Sequence, residues 1–202
     1  RISKYVGTEY GIATVNGTAA LHLSLLACGV QPGDEVIVPA FTFIAPVNAI
    51  RYCGANPVLI GSESKTMNLD VQKVQEFLEE ECISDPAGLK NKQTGRYIKA
   101  ILPVHIFGHP AEMSSLVSLA DRYQLPVIED ASESLGSEYR GKKTGSLATV
   151  GCFSFNGNKI ITCGGGGMVT TNQESLARRI RHLSTPANSK PFEYEHDEVG
   201  YN

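Results

Sequence analysis

Neither sign of charge dominates this 202-residue chain: 18 basic residues stand against 21 acidic ones, a formal net charge of -3. That balance offers nothing to recruit a nucleic-acid backbone or an anionic lipid surface. Long apolar runs are missing too. The longest stretch free of Asp, Glu, Lys and Arg, residues 10–33, is broken by Thr14, Asn16, Gly17, Thr18, His22 and Gln31, whereas a membrane-spanning helix needs about 20 mostly apolar residues. No charged-then-apolar leader opens the chain. Cysteine is sparse. The five, at 28, 53, 82, 152 and 163, lack the paired spacing of a zinc site and read as buried thiols of a reducing compartment, the cytoplasm. With 42% hydrophobic and 19% charged residues, the chain can bury a substantial core, enough for one large domain of about 150 residues or for that plus a fragment. It starts at Arg1 rather than Met and stops at Asn202 after a polar tail from Ser184. The expectation is therefore a piece of a longer protein, with a large domain over 1–183 and a polar linker over 184–202 leading to a further, small domain.

Ala19, Ala20, Leu21, Leu23, Leu25 and Leu26 predict an apolar helix that Gly29 closes, and Val36, Ile37 and Val38 predict a strand. Ile44, Val47 and Ile50 mark a second helix, and 57–60 a second strand. Val71, Val74, Phe77 and Leu78 mark a helix capped by Asp70, followed by an exposed polar loop over 84–97. A strand over 98–104, a helix through Met113, Leu116, Val117 and Ala120, and strands over 126–129 and 150–155 complete the pattern. Apolar strands alternating with amphipathic helices predict an α/β fold with a mostly parallel sheet and helices on both faces. Ligands of such sheets bind beyond the carboxyl ends of the strands, which draws attention to Asp130 and to the segment around Lys159.

Between Lys143 and Glu174 only Lys159 is charged, and its neighbours are apolar or small. A lysine in partly dry surroundings is a usable amine nucleophile, the common route to a Schiff base with a carbonyl compound. The plain alternative is a lysine snorkelling from a sheet edge. Asp130, at the end of a buried strand, is placed to hold a protonated ring nitrogen, the device that makes pyridoxal phosphate an electron sink; otherwise it caps the segment 131–135. Gly17, Thr18 and Ala19 open a helix whose free amides and positive dipole end attract phosphate, and capping by Asn16 or Thr18 is the ordinary alternative.

Four segments, 16–23 (Asn-Gly-Thr-Ala-Ala-Leu-His-Leu), 39–50, 128–136 (Ile-Glu-Asp-Ala-Ser-Glu-Ser-Leu-Gly) and 153–159 (Phe-Ser-Phe-Asn-Gly-Asn-Lys), resemble in order and spacing the nucleotide-sugar aminotransferases of the DegT/DnrJ/StrS group. The stretch 152–168 most resembles the branch that aminates a 4-keto sugar on the way to legionaminic-type sialic acids. The resemblance implies a fold type I, pyridoxal 5'-phosphate-dependent large domain and transfer of an amino group from L-glutamate to the C4 keto group of a nucleotide-linked 4-keto-6-deoxy sugar. Lys159 matches the lysine that binds the cofactor and shuttles the proton, and Asp130 the partner of the pyridine nitrogen. Glu133 matches the residue beside the phenolic oxygen, Phe43 the aromatic stacked on the ring, and Gly17, Thr18 and Ser154 the phosphate site. Asn202 matches an asparagine that reaches the phosphate of a neighbouring subunit, which implies a homodimer with shared sites. Two positions depart from the group: Gly165 replaces a glutamate, in keeping with that branch, and Gly61 with Ser62 replaces an aspartate.

Competing readings are weaker. Residues 136–143 nearly spell a phosphate-binding loop, but Lys143 stands where Ser or Thr must meet magnesium. Gly164 to Gly167 lack the spaced third glycine of a dinucleotide fingerprint and are better suited to let the backbone pass close to a strand or ligand. His105 and His109 are four apart, but Gly108 and Pro110 make a helical metal-binding pair implausible; supporting structural roles are favoured and no metal is expected. A sugar dehydratase of the same group is disfavoured because, as the resemblance implies, its members replace the lysine with histidine. A regulatory protein that binds cofactor or sugar without turnover is disfavoured by the intact Lys159, Asp130 and Ser154.

Overall fold

The computed structural model describes residues 1–189 and 194–202; of the expected linker, residues 190–193 lie outside the described residues. In chain order the elements are α1 (Ile2–Val6), β1 (Tyr10–Thr14), α2 (Gly17–Ala27), β2 (Glu35–Pro39), α3 (Ile44–Tyr52), β3 (Asn56–Ile60) and α4 (Val71–Glu76). There follow β4 (Cys82–Asp85), β5 (Gly88–Asn91), β6 (Tyr97–Ile101), α5 (Met113–Arg122) and β7 (Ile128–Asp130). The chain then forms β8 (Glu138–Tyr139), β9 (Lys142–Lys143), β10 (Val150–Ser154), β11 (Gly167–Thr171) and α6 (Glu174–Leu183).

The centre of the sheet is parallel, as the apolar strands require. Strands β3, β2 and β6 lie side by side. Bridges of Ile101 to Val127 and Val104 to Asp130 carry the layer on to β7, which pairs in parallel with β10. Beyond β10 the sheet turns antiparallel through β11 and β1. Helix α2 is apolar on almost every side because it is enclosed, packing on β10 and β11 below and on α3 and α6 beside it. Helix α5 covers the opposite face with Met113, Leu116, Leu119 and Ala120, so each face of the sheet has its own core.

Two expectations are corrected. The stretch 84–97 is no loop throughout: β4 and β5 form a hairpin that joins β6 antiparallel. Its turn is closed by the Asp85 carboxylate, which accepts the amides of Ala87 at 2.8 Å and Gly88 at 3.1 Å. Leu89 and Asn91 point inward, and Asn91 donates to buried Glu35 at 2.8 Å, so a polar-looking sequence still carries a strand's alternation. Nor are all the thiols buried. Cys53, Cys82 and Cys152 are, Cys28 is half-buried, and Cys163 is exposed because it lies in the loop after Lys159 rather than in a strand. Burial pushes the Cys28 and Cys53 thiols up to about 12, which favours the neutral thiol over the thiolate.

The tail returns to the body of the fold. Tyr201 donates its amide to Leu183 at 2.8 Å, Arg179 pairs with Glu198, and His182 Nε2 lies 2.7 Å from Asp197. Among the described residues no helix is long and apolar enough to cross a membrane.

Candidate active site

Strands β7 and β10 end side by side, with Cys152 in register with Asp130, and α2 begins above them. Their ends enclose a cavity of about 350 Å³ lined by Gly17, Thr18, Phe43, Asp130, Glu133, Ser154 and Lys159. Every expected site residue except Asn202 therefore faces one space, although they come from four separate stretches of chain. Asn202 lies in a different pocket, with Thr14, Ala19 and Tyr201.

Asp130 is held by its backbone on both sides: its amide donates to Pro103 at 2.9 Å and its carbonyl accepts from His105 at 3.1 Å. Its carboxylate is buried and accepts the Ser132 amide at 3.0 Å. Burial pushes the carboxyl above its ordinary value, an effect that the hydrogen bonds from Ser132, together with His105 and Lys159, only partly oppose. Lys159 follows a turn in which its amide donates to Asn156 at 3.0 Å, and its Nζ lies 3.6 Å from Glu133 Oε1. The second Glu133 oxygen accepts the Phe107 amide at 3.1 Å.

Gly17 shows what the helix end is built to admit. A Cβ there would lie 2.7 Å from Ser154 Cβ and 3.2 Å from Ser132 Oγ, so only glycine leaves the start of α2 open against those two serines. Asn16 caps the helix by accepting the Ala19 amide at 2.8 Å, so capping and the open helix end coexist. Free amides of a helix terminus beside two hydroxyls are the donor set that suits an anion. A buried acid, an amine beside it and an anion cradle suit pyridoxal phosphate, with its ring nitrogen, aldehyde and phosphate at three separate points.

Sequence reasoning passed over Ser132, Asn156, Asn158, Val104 and Ile106 as part of the wall. The first three lie inside the motifs already singled out. Val104 and Ile106 reach the cavity only because β6 runs beside β7, which no local pattern reveals.

This arrangement, a mixed α/β sheet with an acid and a lysine at the carboxyl ends of parallel strands, is the architecture of the fold type I pyridoxal-phosphate-dependent aminotransferases. Within that class the DegT/DnrJ/EryC1/StrS aminotransferase family model matches residues 1–202, and the chain belongs to this family. It is 46% identical over 198 residues to the GDP-perosamine synthase of Caulobacter vibrioides, covering 98% of this chain and 49% of that protein. Among solved structures, DesV of S. venezuelae superposes with a TM-score of 0.87 at 36% identity, over 100% of this chain and 50% of that one. NtdA of Bacillus subtilis, crystallised with bound cofactor PMP, gives a TM-score of 0.83 at 33% identity, over 99% and 42%. The chain spans about half the length of the curated relatives it matches.

Proposed function

We propose that the whole protein is a pyridoxal-phosphate-dependent aminotransferase that moves an amino group from L-glutamate to the C4 keto group of a nucleotide-linked 4-keto-6-deoxy sugar. The observation that carries this reading is the convergence of Lys159, Asp130 and the Gly17 cradle on one cavity. Support for a sugar acceptor comes from the family and from the name of the Caulobacter relative. The C4 position and the legionaminic-type branch rest on the segment 152–168, with Asn156, Gly157 and Asn158 ahead of the lysine.

When bound, the cofactor supplies an electron sink conjugated to the migrating amine. Asp130 would pair with the protonated ring nitrogen, since a buried carboxylate is best satisfied by a cation that pairs with it. Lys159 Nζ takes the α-proton of the donor amino acid and, in the second half of the cycle, delivers a proton to the sugar carbon. Gly17, Thr18 and Ser154 would hold the phosphate, Phe43 would cover the ring, and Glu133 faces Lys159 Nζ on the lysine side of the cavity.

We place residues 1–183 in the large, cofactor-binding domain and 184–202 in the connection to a small domain. Phe43 is exposed on the cavity wall, and Phe41, Ile44 and Phe107 are exposed as well, Phe41 and Phe107 in edge contact; exposed apolar side chains of this kind suit coverage by a second copy. In that homodimer Asn202 would serve the neighbour's phosphate, which agrees with its place outside the wall of its own cavity. A cytoplasmic location completes the reading.

The test is incubation of the full-length protein with L-glutamate and a panel of keto sugar nucleotides, read by product mass. Glutamate-dependent amination is expected, and Lys159→Ala lowers it by at least about 10³-fold. No amination of any panel member, or undiminished turnover by the lysine variant, would overturn the proposal.

A further inference from the structure

Phe107 is a non-glycine residue in the left-handed region, with φ 52 and ψ 26. Such a backbone is strained for a residue that carries a Cβ and persists only where the surroundings over-determine it. The ring does not account for it, being 80% exposed, with an edge contact to Phe41. The surroundings do. Buried Asn68 accepts the Ile106 amide at 3.0 Å and donates to the His109 carbonyl at 3.0 Å, bracketing the turn. Ser137 Oγ donates to the Gly108 carbonyl at 2.7 Å from the other side. Gly108, at φ 81, leaves no room for a Cβ, which would lie 2.7 Å from the Glu133 carbonyl, so the turn is pressed against the residue it serves.

We propose that the turn 105–109 is a positioning clamp: the Phe107 amide holds one oxygen of Glu133 so that the other faces Lys159 Nζ, and Asn68 keeps the turn in the shape that aims this amide. Phe107 and Asn68 are thus positioning residues that act through Glu133. The inference deepens the proposed site but is tested without cofactor chemistry, so the two fail separately.

The experiment is acetylation of the cofactor-free full-length protein at one fixed pH, with Lys159 labelling read by peptide mass against exposed Lys65. The ion pair with Glu133 holds Lys159 Nζ and hinders its attack on the reagent, so Glu133→Gln speeds labelling of Lys159 about threefold, the scale of a partly exposed ion pair. Asn68→Ala and Phe107→Val, the latter unable to rest in the left-handed region, give the same rise. Phe107→Gly, which keeps both the backbone shape and the amide while deleting the ring, leaves labelling at the wild-type rate. In a Glu133→Gln background Asn68→Ala adds nothing further. Should Asn68→Ala not fold, Ser137→Ala loosens the same turn and is read in its place. Wild-type labelling in Glu133→Gln, a rise with Phe107→Gly equal to that with Phe107→Val, or additivity in the double variant overturns the clamp.

Discussion

Glu129 and Asp130 are neighbours on one strand, both buried, and they end in opposite environments because successive side chains of a strand leave on opposite faces. Glu129 is saturated. It accepts the amides of Gly145 at 2.7 Å, Leu147 at 2.6 Å and Ala148 at 2.9 Å. Its fourth donor is His105 Nε2 at 3.1 Å, since His105 Nδ1 already accepts the Ala111 amide. Among the described residues Asp130 has only Ser132 as a hydrogen-bond donor, and it faces a cavity. The contrast teaches that a buried acid with all its partners supplied by the chain builds structure, whereas one left short of partners is available to a ligand.

Removing Glu129 gives the largest effect. Glu129→Leu leaves three amides and a buried histidine without their acceptor and is expected to lower unfolding stability by about 3–5 kcal/mol in urea. A loss under about 1 kcal/mol would erase the distinction between the two acids. Asp130→Asn goes the other way: the cofactor-free protein gains about 1–3 kcal/mol at neutral pH, while cofactor retention on gel filtration falls. The sign follows from the raised carboxyl, ordinarily 3.8. Between that value and the raised one the folded state binds more protons than the unfolded state, so stability falls as pH rises through this range. Melting temperature against pH should therefore slope more steeply downward in the wild type than in Asp130→Asn; equal slopes would remove the functional reading of Asp130's burial. The smallest effect belongs to Gly17→Ala, which fills the cradle and should weaken cofactor binding about tenfold by fluorescence titration. Unchanged affinity would move the phosphate elsewhere.

Much of this was legible along the chain. Leu21, Leu23 and Leu25 announce α2, Val36 to Val38 announce β2, and the isolation of Lys159 in an uncharged stretch marks it without any neighbour in space. The hairpin at 82–91 was hidden because its strands are short and polar, although Asp85, Pro86 and Gly88 spell its turn. The antiparallel strands β1 and β11 were hidden because their pairing depends on residues far apart in the chain.

Local composition by itself determined the parallel core, the helix that starts at the site, and the candidate acid and lysine, because periodicity and charge isolation are properties of neighbouring residues. Only the tertiary structure decided that Gly17, Asp130, Ser154 and Lys159 share a cavity, that Glu129 is anchored while Asp130 is not, and that the backbone of Phe107 holds Glu133. Those outcomes turn on strand order and close approach between distant segments, which long-range packing alone sets.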